Sequence, residues 1–119
     1  MTFTIQRSTW DRGQLCNESS SLLDPHTKNQ CCLGFFATAC GLTDDQIRGV
    51  TVPIRIDPDV RKGTPLETLI DTQGSQLGHT EICEQLLSAN DTATLRESAR
   101  EERITALFAE LGHVVRFET

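Results

Sequence analysis

The sequence predicts an α+β fold in one small domain. The N- and C-terminal strands are expected in one sheet, packed against a buried central helix and an amphipathic C-terminal helix. Three observations predict this. Thr2-Phe3-Thr4-Ile5-Gln6-Arg7 alternates polar and apolar residues, the period of a half-buried strand. Cys31 to Cys40 is apolar or small almost throughout, which describes a helix without a solvent face. Ile104, Leu107, Phe108 and Leu111 recur at helical spacing, and His113-Val114-Val115-Arg116-Phe117-Glu118 follows as a terminal strand. Neither terminal strand has a local hairpin partner, so the two are expected to pair with each other.

The chain has 119 residues, 37% of them hydrophobic, which is enough for one modest core and not for two. Residues 1–119 are therefore expected to form a single domain. The formal charge of −6 argues against direct nucleic-acid binding through phosphate contacts. No apolar run approaches the ~20 residues of a membrane helix, so no membrane contact is expected. The first residues lack the continuous apolar stretch of a signal peptide, and the five cysteines are an odd number. Reduced thiols and a cytoplasmic location are the expectation.

Beyond the first strand, Trp10 precedes a turn at Asp11-Arg12-Gly13, and Asn17-Glu18-Ser19-Ser20-Ser21 is polar. Residues 14–21 are expected to be a mobile loop. Asp24-Pro25-His26-Thr27-Lys28-Asn29 is a turn cluster, so residues 21–33 read as a short hairpin or a loop clamped by its apolar ends. The helix over Cys31–Cys40 stops at Gly41, and Gly34 near its start marks close approach of another backbone. Thr43-Asp44-Asp45-Gln46 has the form of a capping box. Residues 50–56 alternate, but Pro53 restricts them to an edge strand or an extended loop. Thr64-Pro65-Leu66-Glu67 is a second box, and residues 71–79 are expected to be a mobile loop. Thr80 can cap a helix whose stripe holds Ile82, Leu86 and Ala89, broken at Asn90-Asp91. Thr94-Leu95-Arg96-Glu97 is a third box, opening the last helix.

Several residues carry candidate chemistry. Cys31 and Cys32 stand at a predicted helix N-terminus, where exposed N–H groups favour a thiolate, so they are the candidate nucleophiles. Such a nucleophile needs a base, and His26 is the nearest histidine in sequence, with His79 and His113 further off. The competing reading makes the cysteines small core side chains. Cys16, His26, Cys31 and Cys40 lack any standard zinc spacing, so no metal and no cofactor is expected. Trp10 with Arg12 forms either a surface recognition patch or a plug at the sheet edge with a solvated arginine. Asn90 and Asp91 are either ligand-binding groups or a left-handed helix end followed by a turn. Arg96, Arg100 and Arg103 read as a salt-bridged solvent face, because Glu97, Glu101 and Glu102 lie among them. Asp44, Asp45, Asp57, Asp59 and Asp71, with Glu67 and Glu81, concentrate negative charge in the middle third. A face of that kind can dock on a basic groove of another protein.

Taken in order, Trp10-x-x-Gly13, Leu22-Leu23-Asp24, Cys31-Cys32-Leu33-Gly34-Phe35, Asn90-Asp91 and Arg100-Glu101-Glu102-Arg103-Ile104 form a pattern. The pattern resembles a set of small uncharacterised proteins from bacteria and their phages. Those share a W-x-R-G opening, an L-L-D turn, a C-C-L-G-F segment, an N-D step and an E-R-E-E-R-I helix. Residues 51–79 depart from it, and Arg116 stands where the pattern often has Glu. The resemblance implies a phage-linked or mobile-element setting and no particular activity. The expected function is a small acidic, non-enzymatic module that binds a protein with a basic surface. A phage-type inhibitor of a host defence or nucleic-acid-processing protein fits that description. The alternative is a cysteine-dependent enzyme or small-ligand binder using Cys31 and Cys32.

Overall fold

The computed structural model describes residues 1–13, 20–71 and 78–119. Strand β1 (Thr2–Gln6) pairs in parallel with strand β4 (Val114–Glu118), in the register Thr2↔Val114 to Gln6↔Glu118. The expected pairing of the two terminal strands is therefore present, and the rest of the chain is the connection between them. Alternation decides which faces are covered. Phe3, Ile5 and Val115 are buried with Phe117 half-buried, while Thr2, Gln6, Val114, Arg116 and Glu118 are exposed.

Helix α1 (Cys32–Ala39) and helix α5 (Glu97–Glu110) lie over the apolar face of this sheet. Phe3 meets Phe108 edge-on at a ring separation of 4.9 Å, and Phe36 of α1 lies 5.2 Å from Phe108. Phe36 and Phe108 are wholly buried, so this aromatic contact is the centre of the core. Cys32, Leu33, Gly34, Phe36 and Ala37 of α1 are buried, whereas its last turn, Thr38 and Ala39, is exposed, so the helix is buried except at its C-terminal end. Gly34 is required by its neighbour: a Cβ there would overlap the Leu22 carbonyl, so the backbone at Leu22 crosses directly over the helix. Gly41 ends the helix region at φ +98°, a conformation that favours glycine.

The turn at residues 24–29 is built as its residues imply. The Asp24 carboxylate accepts from the backbone N–H groups of His26 (2.8 Å) and Thr27 (3.0 Å), and Asp24 N–H donates to the Asn29 carbonyl. These bonds hold the Asp24 carboxyl below the usual carboxylate range, Thr27's contribution being the largest. Helix α2 (Asp44–Ile47) starts at the first capping box, where Gln46 Oε1 accepts from Thr43 N–H at 2.8 Å.

The middle of the chain differs from expectation in detail. Residues 50–56 form no strand: Pro53–Arg55 is a 3-10 turn, because Pro53 suits a first helical position and has no N–H for a sheet. Helix α3 (Pro58–Arg61) follows, capped by Asp57 accepting from Asp59 N–H. Thr64 caps as predicted, accepting from Leu66 N–H, but the turn it opens is 3-10 (Pro65–Leu69). That turn runs into strand β2 (Ile70–Asp71), antiparallel to β3 (Gly78–His79). The loops expected over 14–21 and 71–79 lie mainly outside the described residues.

Helix α4 (Glu81–Asp91) is capped by Thr80, whose hydroxyl accepts from Cys83 N–H. Its buried stripe is Cys83, Leu86, Ala89 and Asn90, with Ile82 at the margin. The third box does not form, and α5 begins at Glu97 without a side-chain cap. The reason is competition: the Glu97 carboxylate is taken by Arg12 at 2.6 Å and lies 3.7 Å from Arg100.

His113, just before β4, is buried beside Phe36 and 3.0 Å from the Met1 amino group. Burial, followed by the nearby ammonium, lowers its pKa below the ordinary 6.5. The folded state therefore binds fewer protons here than the unfolded state once pH falls below 6.5. Stability from this group is complete above that value and is lost as pH falls toward the lowered pKa. Denaturant midpoints at about pH 7 and pH 5 should differ more for the wild type than for His113→Gln. Equal differences would remove His113 from the account.

Candidate functional site

The polar motif residues meet at Asn90, which is 2% exposed. Helix α4 continues through Asp91, so Asn90 sits inside a helix and is not a left-handed helix end. Its side chain has two acceptor positions and two donor positions, and all four are used. Oδ1 accepts from the Trp10 indole N–H at 2.8 Å and from Cys32 N–H at 3.0 Å. Nδ2 donates to the Asp11 carbonyl at 3.0 Å and to the Asp91 carboxylate at 2.9 Å. The Asn90 carbonyl accepts from Gly13 N–H at 2.7 Å.

Arg100 completes the junction. It is 3% exposed, so it is not part of a solvent face with the exposed Arg96 and Arg103. Nη1 donates to the carbonyls of Ala89 (2.7 Å) and Asn90 (2.9 Å), and Nη2 donates to the Leu95 carbonyl (2.9 Å). The last carbonyls of a helix have no partner within it, and they attract a cation. Arg100 thus caps α4 from α5 and fixes the angle between the two helices. Sequence reasoning missed this role, although one signal was present: Arg100 stands one turn before Ile104, on the same buried stripe.

Trp10 is 4% exposed and is therefore no surface anchor. The Arg12 guanidinium lies over its ring at 4.3 Å, and Phe117 lies 5.2 Å from it. Arg12 also donates to Glu97 and to the carbonyls of Arg7 and Trp10. Nearby, Arg7 makes a two-point contact with Glu101 at 2.8 and 2.7 Å, which holds the Glu101 carboxyl below its usual range. Trp10, Arg12, Cys32, Asn90 and Asp91 therefore form one constellation, in which the Asn90 amide and the Trp10 indole N–H are fully engaged within the protein. The constellation ties the segment after β1 to the start of α1, the end of α4 and the start of α5.

The candidate nucleophiles lie beside this junction. Cys31 is the N-cap of α1 and Cys32 its first residue, both buried. Burial pushes the Cys31 thiol up to about 12, although the N–H groups of Gly34 and Leu33 pull the other way. Burial likewise pushes Cys32 well above the ordinary thiol value, and Cys83 up to about 12. Helix-terminal N–H groups favour the thiolate as expected, but desolvation outweighs them. His26 is exposed on the 24–29 turn, and among the described residues no histidine hydrogen-bonds a cysteine. Cys16 lies outside the described residues. Among those described, no group of three or more His, Cys, Asp or Glu is placed to hold a metal ion.

Asp44 and Asp45 belong to α2, away from the junction, and are exposed; Asp45 pairs with Arg48 at 2.5 Å. Among the described residues no helix is long and apolar enough to cross a membrane. Comparison of the chain with family models, curated proteins and solved structures finds no match.

Proposed function

We propose that this chain is a small, non-enzymatic protein-binding module that docks on a basic protein surface through the acidic face of its middle third. The finer reading is a phage-type inhibitor of a host defence or nucleic-acid-processing protein, covering that protein's basic groove. The observation that carries it is the exposure of five aspartates in this segment. Between residues 44 and 71 the chain has six acidic and four basic side chains. Asp44, Asp45, Asp57, Asp59 and Asp71 are exposed, whereas Arg61 is 5% exposed and donates inward to the Ile54 carbonyl at 3.1 Å. Arg61 lies 3.9 Å from the half-buried Glu67, so the outward charge is the five exposed aspartates against Arg48, Arg55 and Lys62, a net −2 like that of the segment's composition. A second support is the Asn90 junction, which turns the motif residues best suited to ligand contact into internal ties.

The test replaces Asp44, Asp45, Asp57 and Asp59 together with Asn, which removes charge and keeps the Asp57 cap geometry. Tagged wild-type protein should retain a stoichiometric partner from bacterial lysate at low salt and release it at high salt. The neutralised variant should not retain it. Equal retention by both proteins, or no stoichiometric partner for the wild type, rejects the proposal.

The cysteine-dependent alternative requires a reactive Cys31 or Cys32. With buried, protonated thiols, Cys31, Cys32 and Cys83 should react with iodoacetamide near neutral pH far more slowly than free cysteine, and should label fully only on unfolding. Site-resolved mass spectrometry measures this. Labelling of Cys31 or Cys32 faster than free cysteine would shift the reading to the alternative.

A further inference from the structure

We infer that the outer edge of β1 is a self-association edge, on which a second copy of this chain adds its own β1 in antiparallel orientation. The parallel register fixes which backbone groups face outward. Val114 N–H donates to the Met1 carbonyl at 2.9 Å, and Phe3 and Ile5 sit opposite Val115 and Phe117. Residues 3 and 5 therefore turn their N–H and C=O groups toward β4, and Thr2, Thr4 and Gln6 turn theirs away. Among the described residues, no hydrogen bond reaches these outward groups, and β4 is the only strand paired with β1.

Natural sheets protect such an edge with charges, Pro, bulges or a covering element. Thr2-Phe3-Thr4-Ile5-Gln6 carries no charge, no Pro and no Gly. The segment is also self-complementary. A twofold axis at Thr4 places Thr4 opposite Thr4 of the second copy, and Thr2 opposite its Gln6. Every outward N–H of Thr2, Thr4 and Gln6 then meets a carbonyl, no charged side chains face each other within residues 2–6, and the central Thr–Thr pair is a favourable cross-strand contact. The result is a continuous four-stranded sheet with β1 and its copy in the middle. An edge of this neutrality suits a copy of itself, since nothing in it selects a charged foreign strand.

The salt dependence separates this association from partner docking. Each chain carries −6, so two copies repel at long range, and salt screens that repulsion. Self-association should strengthen with salt, where docking of the acidic face on a basic partner should weaken.

Sedimentation equilibrium from micromolar to millimolar protein is the test, using the wild type, Thr4→Pro and Thr4→Lys. Thr4→Pro deletes an outward N–H that the β1–β4 pair does not use. Thr4→Lys sets two ammonium groups against each other at the twofold axis. The wild type should show a monomer–dimer equilibrium, and each variant should raise its Kd at least ~10-fold with circular dichroism unchanged. If Thr4→Pro fails to fold, Thr4→Lys decides. A wild type that stays monomeric throughout, or variants that dimerise as it does, would overturn the inference.

Discussion

Replacing Asn90 with alanine should cost about 4 kcal/mol of folding stability, the largest loss expected from a single polar side chain in this protein. The Trp10 indole N–H and the Cys32 amide would both lose their acceptor inside the core. Each orphaned buried donor costs roughly 1–3 kcal/mol. The Asp11 carbonyl would lose its donor as well. Against a typical total of about 5–15 kcal/mol, this is a large fraction of what holds a small domain together. Urea denaturation followed by Trp10 fluorescence reads the result directly, because Trp10 is the only tryptophan. A shift of the midpoint equivalent to less than about 1 kcal/mol would mean that water replaces the lost bonds and that the junction is not dry.

Gly34→Ala is the second. Intrinsic propensity favours alanine over glycine in a helix by about 1 kcal/mol. Sterics oppose it here, because the added methyl would overlap the Leu22 carbonyl. Leu22 cannot easily yield: its N–H donates to the Val50 carbonyl at 2.7 Å, and the neighbouring Ser21 carbonyl accepts from Cys31 N–H at 3.0 Å. Overpacking against a fixed backbone costs about 3 kcal/mol or more. The net expectation is a loss of at least about 2 kcal/mol, seen as a lower urea midpoint or as insoluble protein. An unchanged or higher midpoint would show that α1 can move away from the Leu22 segment.

The sequence and the tertiary structure contributed different parts of this picture. The two terminal strands were legible because alternation is a local signal with period two. The central helix was legible because a run of apolar residues ended by glycine has few other solutions. Gly34 announced a close backbone approach, and Thr64 and Thr80 announced their caps, since each depends on residues within one turn. The third box misled because its Glu97 has a better partner in Arg12, which is 85 residues away. Pro53 ruled out a sheet interior as expected, but not the 3-10 turn that actually forms. Trp10, Arg12, Cys32, Asn90 and Asp91 could be singled out by type, but their common meeting point could not. The Trp10–Asn90 bond joins residues 80 apart and the Cys32–Asn90 bond residues 58 apart.

By itself, then, the sequence determined the terminal strands, the central and C-terminal helices with their apolar faces and the close contact at Gly34, because these follow from short-range periodicity and local sterics. Only the tertiary structure decided that the two terminal strands run parallel and that Arg100 turns inward to cap a neighbouring helix. It also decided that Asn90 is a tie between four segments and not a helix end. A buried amide must satisfy four hydrogen bonds, and which groups supply them depends on how distant segments are brought together, which no local pattern encodes.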